Sequence, residues 1–409
     1  MTISFDDIRA AARQIEGAVI RTPTVRSATL SEQIAADVVL KLENLQYTGS
    51  FKDRGALVHL LALPNADARR GVIAVSAGNH AQGVAYHARR LGLPATIVMP
   101  RGTPFIKIQR TQGLGASVIL EGVTLDEAYA YAHQRARDHG LSFVHPYDDP
   151  KIMAGQGTVA IEMLADRPDL DCVIVPVGGG GLIAGFATAA KAIKPDIEIV
   201  GVEAAAYAKM AKGADGAPPA GGSTLADGIA VKTPGRLTRP IVQALVDRLV
   251  TVSEASIERA VHQLIEVERI VVEGAGAASL AALLDDPAAF RGRRVGLVVS
   301  GGNIDPRLLA SVLTRGLLRA GHMATLRIEV ADAPGNLARV ATILGQTEAN
   351  IVEIHHRRLF LDVPVKRVEL DVVIETQGPD HAKRIRTTLT DAGFPCRQIV
   401  EQAESVRLA

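Results

Sequence analysis

The sequence predicts an α/β protein: two lobes built on open, mainly parallel sheets covered by helices, followed by a separate βαββαβ domain of the ferredoxin-like kind. Three observations predict it. Between Val38 and Ser300 short apolar runs rich in β-branched residues alternate with stretches of helical period. Those runs are apolar at most positions instead of alternating with polar ones, as strands covered on both faces are. Near Met323 the order changes to strand, helix, two strands, helix, strand.

The elements follow in order. The chain opens on MTISFDDIRAAARQIEGAV, which reads as an amphipathic helix with Ser4 and Asp7 in capping-box spacing. It lacks the basic start and apolar core of a secretory leader, so no export is expected. The strands are VVLKL, GVIAVS, ATIVMP, SVIL, FVHP, DCVIVPVG, IEIVGVE and RVGLVVS, each leading into a helical stretch. Eight strands are enough for a TIM barrel, but uneven spacing and the insert KGADGAPPAGGSTLADG favour open sheets in two lobes. After the helix DPRLLASVLTRGLLRAG come LRIEVAD, NLARVATILGQTEA, IVEIHHRRL, RVELDVVIET, DHAKRIRTTLTDAG and CRQIV. A boundary is therefore expected near 322, with one domain over 1–322 and a second over 323–409.

Composition excludes several functions. Of 409 residues 47% are hydrophobic, ample for sizeable cores, and 45 Lys and Arg against 44 Asp and Glu leave a net charge of +1. No basic surplus is left for nucleic acid or an anionic membrane surface. With 8 Phe, 6 Tyr and no Trp the chain has no base-stacking platform, and no apolar run reaches the length of a membrane span. Cys172 and Cys396 lie far apart, which argues against a disulfide framework and for a reducing, cytoplasmic compartment in which both are buried fillers.

Four segments carry chemistry. Gly178, Gly179, Gly180 and Gly181 stand between the strand Val173–Val177 and the helix LIAGFATAAKAI. Amides freed from Cβ interference at a helix N-terminus make a phosphate cradle. Gly179, Gly181 and Ala184 also satisfy G-x-G-x-x-A with Glu203 beyond the next strand, so an NAD-dependent oxidoreductase is the competing reading. In LENLQYTGSFKDRGA, Lys52 opens a helix after a polar turn, a place where desolvation makes a Schiff-base amine. By itself it reads more plainly as a solvated helix residue, with Asp53 and Arg54 as ordinary first-turn charges. In VIAVSAGNHAQGVA, Ser76, Ala77, Gly78, Asn79 and His80 occupy a strand-to-helix turn whose amides suit a carboxylate. His80 reads as a base or, more plainly, as a capping or loop residue. In VGLVVSGGNID, Ser300 stands at a strand's carboxyl end, where ligands collect, although a plain turn reads as well.

Taken in order, SFKDRGA, SAGNHAQG, VGGGGL and SGGNID, with the connecting pieces HPYDDPKIMAGQGTVAIE, ADGIAV and VVEGAGAA, resemble the threonine ammonia-lyase (threonine dehydratase) family of fold-type II pyridoxal-phosphate enzymes. The resemblance spans roughly residues 1–320 and leaves the NAD reading with three motifs unexplained. It implies a fold like the tryptophan synthase β subunit, with a small lobe at about 53–148 inserted in the large one. It implies pyridoxal 5'-phosphate as cofactor, with Lys52 as its Schiff-base lysine, Phe51 against the pyridine ring and Asn79 on the ring hydroxyl. Gly178, Gly179, Gly180, Gly181 and Leu182 hold the phosphate, Ser300 faces the ring nitrogen, and Glu273 lines the pocket. Ser76, Ala77, Gly78, Asn79 and His80 bind the substrate carboxylate. The freed Lys52 amine then takes the Cα proton and the β-hydroxyl leaves, protonated through the cofactor phosphate, giving a 2-oxo acid and ammonia. A neutral serine at the ring nitrogen favours prompt β-elimination over transamination. The expected substrates are L-threonine and also L-serine; serine racemase and 3-hydroxyaspartate dehydratase are the competing readings within the family.

Two departures narrow the choice. Serine racemases carry a serine where this chain has Ala77, so a proton carrier on the second face of Cα is missing and elimination is expected to dominate. The acidic pair that binds a divalent ion in some relatives aligns here with Glu203 and Lys209, so no metal site is expected. Beyond residue 322, IEVADAPGNLARVATIL resembles the ACT domain, with Asp332, Gly335, Asn336 and Leu337 carrying its D-x-P-G-N-L start. That resemblance implies an amino-acid effector at Gly335, Asn336 and Leu337, isoleucine or valine, between paired domains of a homodimer or homotetramer; a simple dimer contact is the alternative. His355, His356, Arg357 and Arg358 read as a solvated strand end.

Overall fold

The first helix, α1 (Phe5–Ile15), begins where Ser4 Oγ accepts from the Asp7 amide (3.2 Å) and the Asp7 carboxylate accepts from the Ser4 amide (2.9 Å). This is the reciprocal cap that the spacing predicts. The computed structural model describes residues 2–210, 221–357 and 366–399. The chain divides into two compact units, Met1–Asp305 and Pro306–Ala409.

In the first unit the chain continues through β1 (Thr24–Ser27), α2 (Ala28–Ile34), β2 (Asp37–Leu42), α3 (Lys52–Leu61), α4 (Asn65–Arg70), β3 (Val72–Val75), α5 (Asn79–Arg90) and β4 (Ala95–Met99). Next come α6 (Phe105–Gly113), β5 (Ser117–Leu120), α7 (Leu125–His139), β6 (Ser142–Phe143), α8 (Pro150–Asp166), β7 (Cys172–Pro176), α9 (Gly181–Ile193) and β8 (Glu198–Ala204). The unit closes with α10 (Thr238–Leu245), β9 (Arg248–Val252), α11 (Glu254–Glu268), α12 (Gly274–Asp285) and β10 (Arg294–Val299). All eight expected strands form, as β2 to β8 and β10.

They build two open sheets. The larger has the order β1-β2-β10-β7-β8-β9, parallel throughout except for the antiparallel β1 edge. The smaller, β5-β4-β3-β6, is wholly parallel. In β3, β7 and β10 the residues are buried almost without exception, because helices cover both faces. This layout positions the site. β2, β10 and β7 are parallel neighbours, so their carboxyl ends share one sheet edge, and from there the chain leads to Lys52, Ser300 and the glycine run respectively. β3 of the smaller sheet delivers Ser76 in the same manner.

The second unit holds α13 (Pro306–Arg319), β11 (Met323–Ala331), α14 (Asn336–Gln346), β12 (Asn350–Arg357), β13 (Arg367–Glu375), α15 (Pro379–Asp391) and β14 (Cys396–Gln398). Its antiparallel sheet has the order β12-β13-β11-β14, the ferredoxin-like arrangement. Leu326, Ile328, Val340, Leu344, Leu370, Val372, Ile385 and Leu389 form its own core. The division between units falls before α13, ahead of the boundary expected near 322, because α13 packs on β11.

Cys172 is the buried filler expected, whereas Cys396 is only half-buried, since β14 is a short edge strand. His355 and His356 are exposed on β12, itself an edge, as a solvated strand end should be. Arg358, residues 212–220 of the glycine-rich insert and Val400 of the last expected strand lie outside the described residues. Among the described residues no helix is long and apolar enough to cross a membrane.

Candidate active site

Lys52 is the first residue of α3 and its side chain is half-buried, with Nζ donating to the Pro146 carbonyl at 2.6 Å. Loss of hydration lowers its pKa to about 8, against the opposing pull of the Glu273 carboxylate. Near neutral pH the uncharged, nucleophilic amine is therefore far better populated than on a solvated lysine. Nζ also stands 5.1 Å from the centroid of the Phe51 ring.

The helix that carries Lys52 is anchored by charge. Arg54 is fully buried and its fork grips Glu43 (Nε to Oε2, 2.7 Å) and Glu162 of α8 (Nη1 to Oε1, 2.6 Å). Lys41 of β2 adds a bond to the same Glu162 (2.6 Å). Two cations against two carboxylates leave this interior cluster neutral, with further donors spent on Thr158 Oγ1 and the Ile20 carbonyl. A buried charge is tolerated only with partners of this kind. Arg54 is thus no ordinary first-turn charge but the bolt between β2, α3 and α8.

The glycine run follows β7 and precedes α9, as the sequence predicts. Among the described residues every hydrogen bond of Gly178–Gly180 is made by a carbonyl. The Gly179 oxygen accepts from Thr238 Oγ1 (2.7 Å) and the Gly235 amide (3.1 Å), and the Gly180 oxygen accepts from Ala184 (2.9 Å). The amides beside the α9 N-terminus are left to a ligand. Gly180 sits at φ +94°, in the left-handed region, and a Cβ on Gly179 would lie 2.3 Å from the Tyr147 ring, so neither position tolerates a side chain. Leu182 is the second residue of α9 and buried. The Asp148 carboxylate orders the neighbouring turn by accepting the Arg236 (2.9 Å) and Leu237 (2.8 Å) amides. An arrangement of this kind suits a phosphate at a helix N-terminus. Together with a desolvated amine it fits pyridoxal phosphate.

Ser76, Ala77 and Gly78 form the β3-to-α5 turn, with the Gly78 amide on Ser76 Oγ (3.1 Å), and Asn79 and His80 open α5. His80 is buried and its Nε2 meets the Val144 carbonyl at 2.9 Å. Burial, then the nearby Lys52 charge, pushes its pKa down to about 3, so the imidazole at this helix start is held uncharged at neutral pH. Asn79 Nδ2 donates to Glu273 Oε1 at 2.5 Å. Burial raises the Glu273 carboxyl to about 7, with the Asn79 bond pulling the other way.

Ser300 is buried and its carbonyl accepts from the Phe51 amide (3.1 Å), while Ser50 pairs with Gly301 in an antiparallel bridge. The Glu273 amide donates to the Gly301 carbonyl (3.1 Å), which ties the start of α12 to the same strip. Lys52, Phe51, Asn79, Glu273 and Ser300 are therefore joined through short contacts. The residues that sequence reasoning missed are Pro146, Asp148, Thr238 and Asn303. Pro146 and Asp148 stand in HPYDDP and Asn303 in SGGNID, motifs that were in view without a role for these positions. Thr238 carried no signal.

Two further expected sites involve Glu203 and the second unit. Glu203 is buried at the end of β8 and its Oε1 accepts the amides of Lys209 (2.9 Å) and Met210 (2.8 Å), so this oxygen is engaged by the chain's own turn. In the second unit Gly335 precedes α14, Asn336 opens it with Nδ2 on the Ala331 carbonyl (2.9 Å), and Leu337 is exposed.

Comparison with known proteins gives a consistent picture. A family model described as pyridoxal-phosphate dependent enzyme matches residues 15–301. An L-threonine ammonia-lyase of Thermotoga maritima is 41% identical over 403 residues, which is 97% of this chain and 99% of that protein. A catabolic L-threonine dehydratase of Staphylococcus aureus N315 is 45% identical over 322 residues, 77% of this chain and 93% of that protein. The crystal structure of a threonine deaminase from T.th. superposes with a TM-score of 0.69 at 40% identity, over 74% of this chain and 99% of the other.

Proposed function

The chain belongs to the pyridoxal-phosphate dependent enzyme family, and from that premise we infer that it is an L-threonine ammonia-lyase, converting L-threonine to 2-oxobutanoate and ammonia and L-serine to pyruvate. The observation that carries the reaction class is the desolvated Lys52 amine, held on the Pro146 carbonyl and within the field of the Glu273 carboxyl that Asn79 binds. Bound pyridoxal phosphate supplies an electron sink for an amino acid joined to it.

The chain's own residues do the rest. The amides of Gly178–Leu182 and the α9 N-terminus would hold the phosphate, with Phe51 for the ring, Ser300 for the ring nitrogen and an N–H of Asn79 for the ring oxygen. The turn Ser76–His80 binds the substrate carboxylate at the α5 N-terminus. Lys52 Nζ, parked on the Pro146 carbonyl, takes the Cα proton. As that proton leaves, the Cα–Cβ double bond forms and the Cβ–O bond breaks, with the hydroxyl departing as water once protonated. The released enamine adds water and loses ammonia, leaving the 2-oxo acid. A hydroxyl at Ser300 does not enforce a charged ring nitrogen, which favours this elimination over transamination. Ala77 supplies no proton carrier for the second face of Cα, which favours elimination over racemisation.

We extend the reading to the second unit, which takes isoleucine or valine at Gly335, Asn336 and Leu337 and works in a homodimer or homotetramer in the cytoplasm. The deciding experiment is an assay for 2-oxo acid and ammonia with threonine, serine and 3-hydroxyaspartate, run beside Lys52→Ala. The parent is expected to show the visible band of bound cofactor and to prefer threonine. The variant is expected to lose the covalent band and to turn over about 10²–10⁴-fold more slowly, or not at all. Turnover in Lys52→Ala that stays within about tenfold of the parent contradicts the assignment.

A further inference from the structure

We propose that Asn303 is the positioning residue that sets which end of the Asn79 amide faces the pocket. The inference rests on the ammonia-lyase reading and adds a residue that no motif assigned.

The argument turns on what each atom is able to do. The Thr48 oxygen is a backbone carbonyl and only accepts hydrogen bonds. It lies 2.7 Å from the terminal amide of Asn303, so the atom facing it is the nitrogen. That same Nδ2 lies 2.8 Å from the Asn79 amide, and since it arrives as a donor, the atom it meets is an oxygen. Asn79 is thereby fixed with Oδ1 toward Asn303 and Nδ2 on the other side, where Glu273 Oε1 accepts at 2.5 Å. One backbone carbonyl thus orients two side-chain amides in series. The direction of a whole chain of donors, Asn303 to Asn79 to Glu273, follows from it.

The seat of Asn303 is built into the backbone. Gly49 adopts φ +74°, and a Cβ there would lie 3.0 Å from Asn303 Oδ1 and 3.2 Å from Nδ2, so this glycine leaves room for the amide. The Gly302 amide donates to the Gly49 carbonyl (2.9 Å) and the Phe51 amide to Ser300 (3.1 Å). The strip that holds Asn303 is therefore clasped to the strip that holds Lys52. If Asn303 had no hydrogen to give, nothing on that side would prevent the Asn79 amide from turning over. It would then present its oxygen to the pocket and to the Glu273 carboxylate.

Asn303→Asp keeps the shape, removes both hydrogens and adds a charge; Asn303→Ser, neutral and with one rotatable hydrogen, separates the loss of the donor from the charge and serves where the aspartate impairs folding. Both are made in the full-length chain and compared with the parent by thermal melting, titration with pyridoxal phosphate, the position of its visible band, and the kcat and KM for threonine. The expected result is a displaced band, a cofactor Kd raised about tenfold or more, and a kcat that falls further than KM changes. Asn303→Ser is expected to fall between. Variants that fold and share the parent's band, affinity and kcat overturn the proposal and leave the ammonia-lyase reading standing. A parent that takes up no pyridoxal phosphate overturns that reading first, and the role of Asn303 with it.

Discussion

At the scale of single residues, the site is governed by two groups whose charge the fold makes costly. Glu273 is held near pKa 7 where a free carboxyl titrates at 4.5, and Lys52 near 8 where a free amine titrates at 10.5. The two have different pH signatures in the cofactor-free chain. Below pH 4.5 Glu273 is protonated folded and unfolded alike and imposes no penalty. Between 4.5 and 7 the unfolded chain gives up the proton while the folded chain keeps it, so stability falls as pH rises, and above 7 the loss is complete. Lys52 stays charged in both states across that window, so its own penalty is constant there and is relieved only above about pH 8. Glu273→Gln keeps an oxygen for Asn79 and removes the titration. Its stability relative to the parent, read by urea unfolding without cofactor, is expected to rise from pH 4.5 to 7.5 by on the order of 1–3 kcal/mol. A difference that does not vary with pH contradicts this account. The contrast with Asn303 shows what a sequence discloses about a site. Lys52, Asn79, the glycine run and Ser300 each follow a strand end and were legible there. The Pro146 carbonyl and the Asn303 amide act through geometry set by chain folded from far away, and no local pattern encodes a hydrogen bond across 224 positions.

At the scale of elements, α8 and α9 lie backbone against backbone. A Cβ on Gly185 of α9 would stand 2.1 Å from the Met153 carbonyl and 2.7 Å from the Gly157 nitrogen, both on α8. Backbone atoms within a helix do not swing aside as a flexible side chain does. Gly185→Ala is therefore expected to destabilise the folded chain by about 1–3 kcal/mol or more, although alanine is the better helix former. Chemical denaturation of the two proteins measures it, and an unchanged midpoint refutes the packing argument. Because α9 carries the phosphate cradle at its N-terminus, weaker cofactor binding is expected alongside. Strand legibility followed burial in the same way. The uniformly buried β3, β7 and β10 announced themselves as apolar runs. β1, TVRS, and β9, RLVTV, were missed; they are the two edges of the larger sheet, where one side of each strand meets solvent and polar residues break the run.

At the scale of the whole molecule, the chain is two units with separate cores, and its relatives cover it to different extents. The Staphylococcus aureus dehydratase matches 77% of this chain with 93% of its own length, and the family model ends at residue 301, inside the first unit. The Thermotoga maritima ammonia-lyase matches 97% of this chain, second unit included. The change of pattern at Met323 disclosed the second fold but not its start, since α13 reads as one more helix of the α/β series and is assigned to the later unit only by its packing on β11. From this division follows a prediction about regulation. A chain ended after Asp305 is expected to keep threonine turnover and to lose any response to isoleucine or valine, whereas the full-length chain responds. The coupling expected in the full-length chain is about 1–3 kcal/mol, roughly 5- to 150-fold in affinity. Linkage then imposes a condition that competition at the active site does not meet in the same form. If isoleucine changes the affinity for an unreactive threonine analogue by some factor, the analogue must change the affinity for isoleucine by the same factor, with both ligands bound together. Calorimetric titration of each ligand in the presence and absence of the other measures both factors. An effect that persists in the shortened chain, or one that grows without limit as the analogue is raised, places isoleucine in the substrate pocket instead of the second unit.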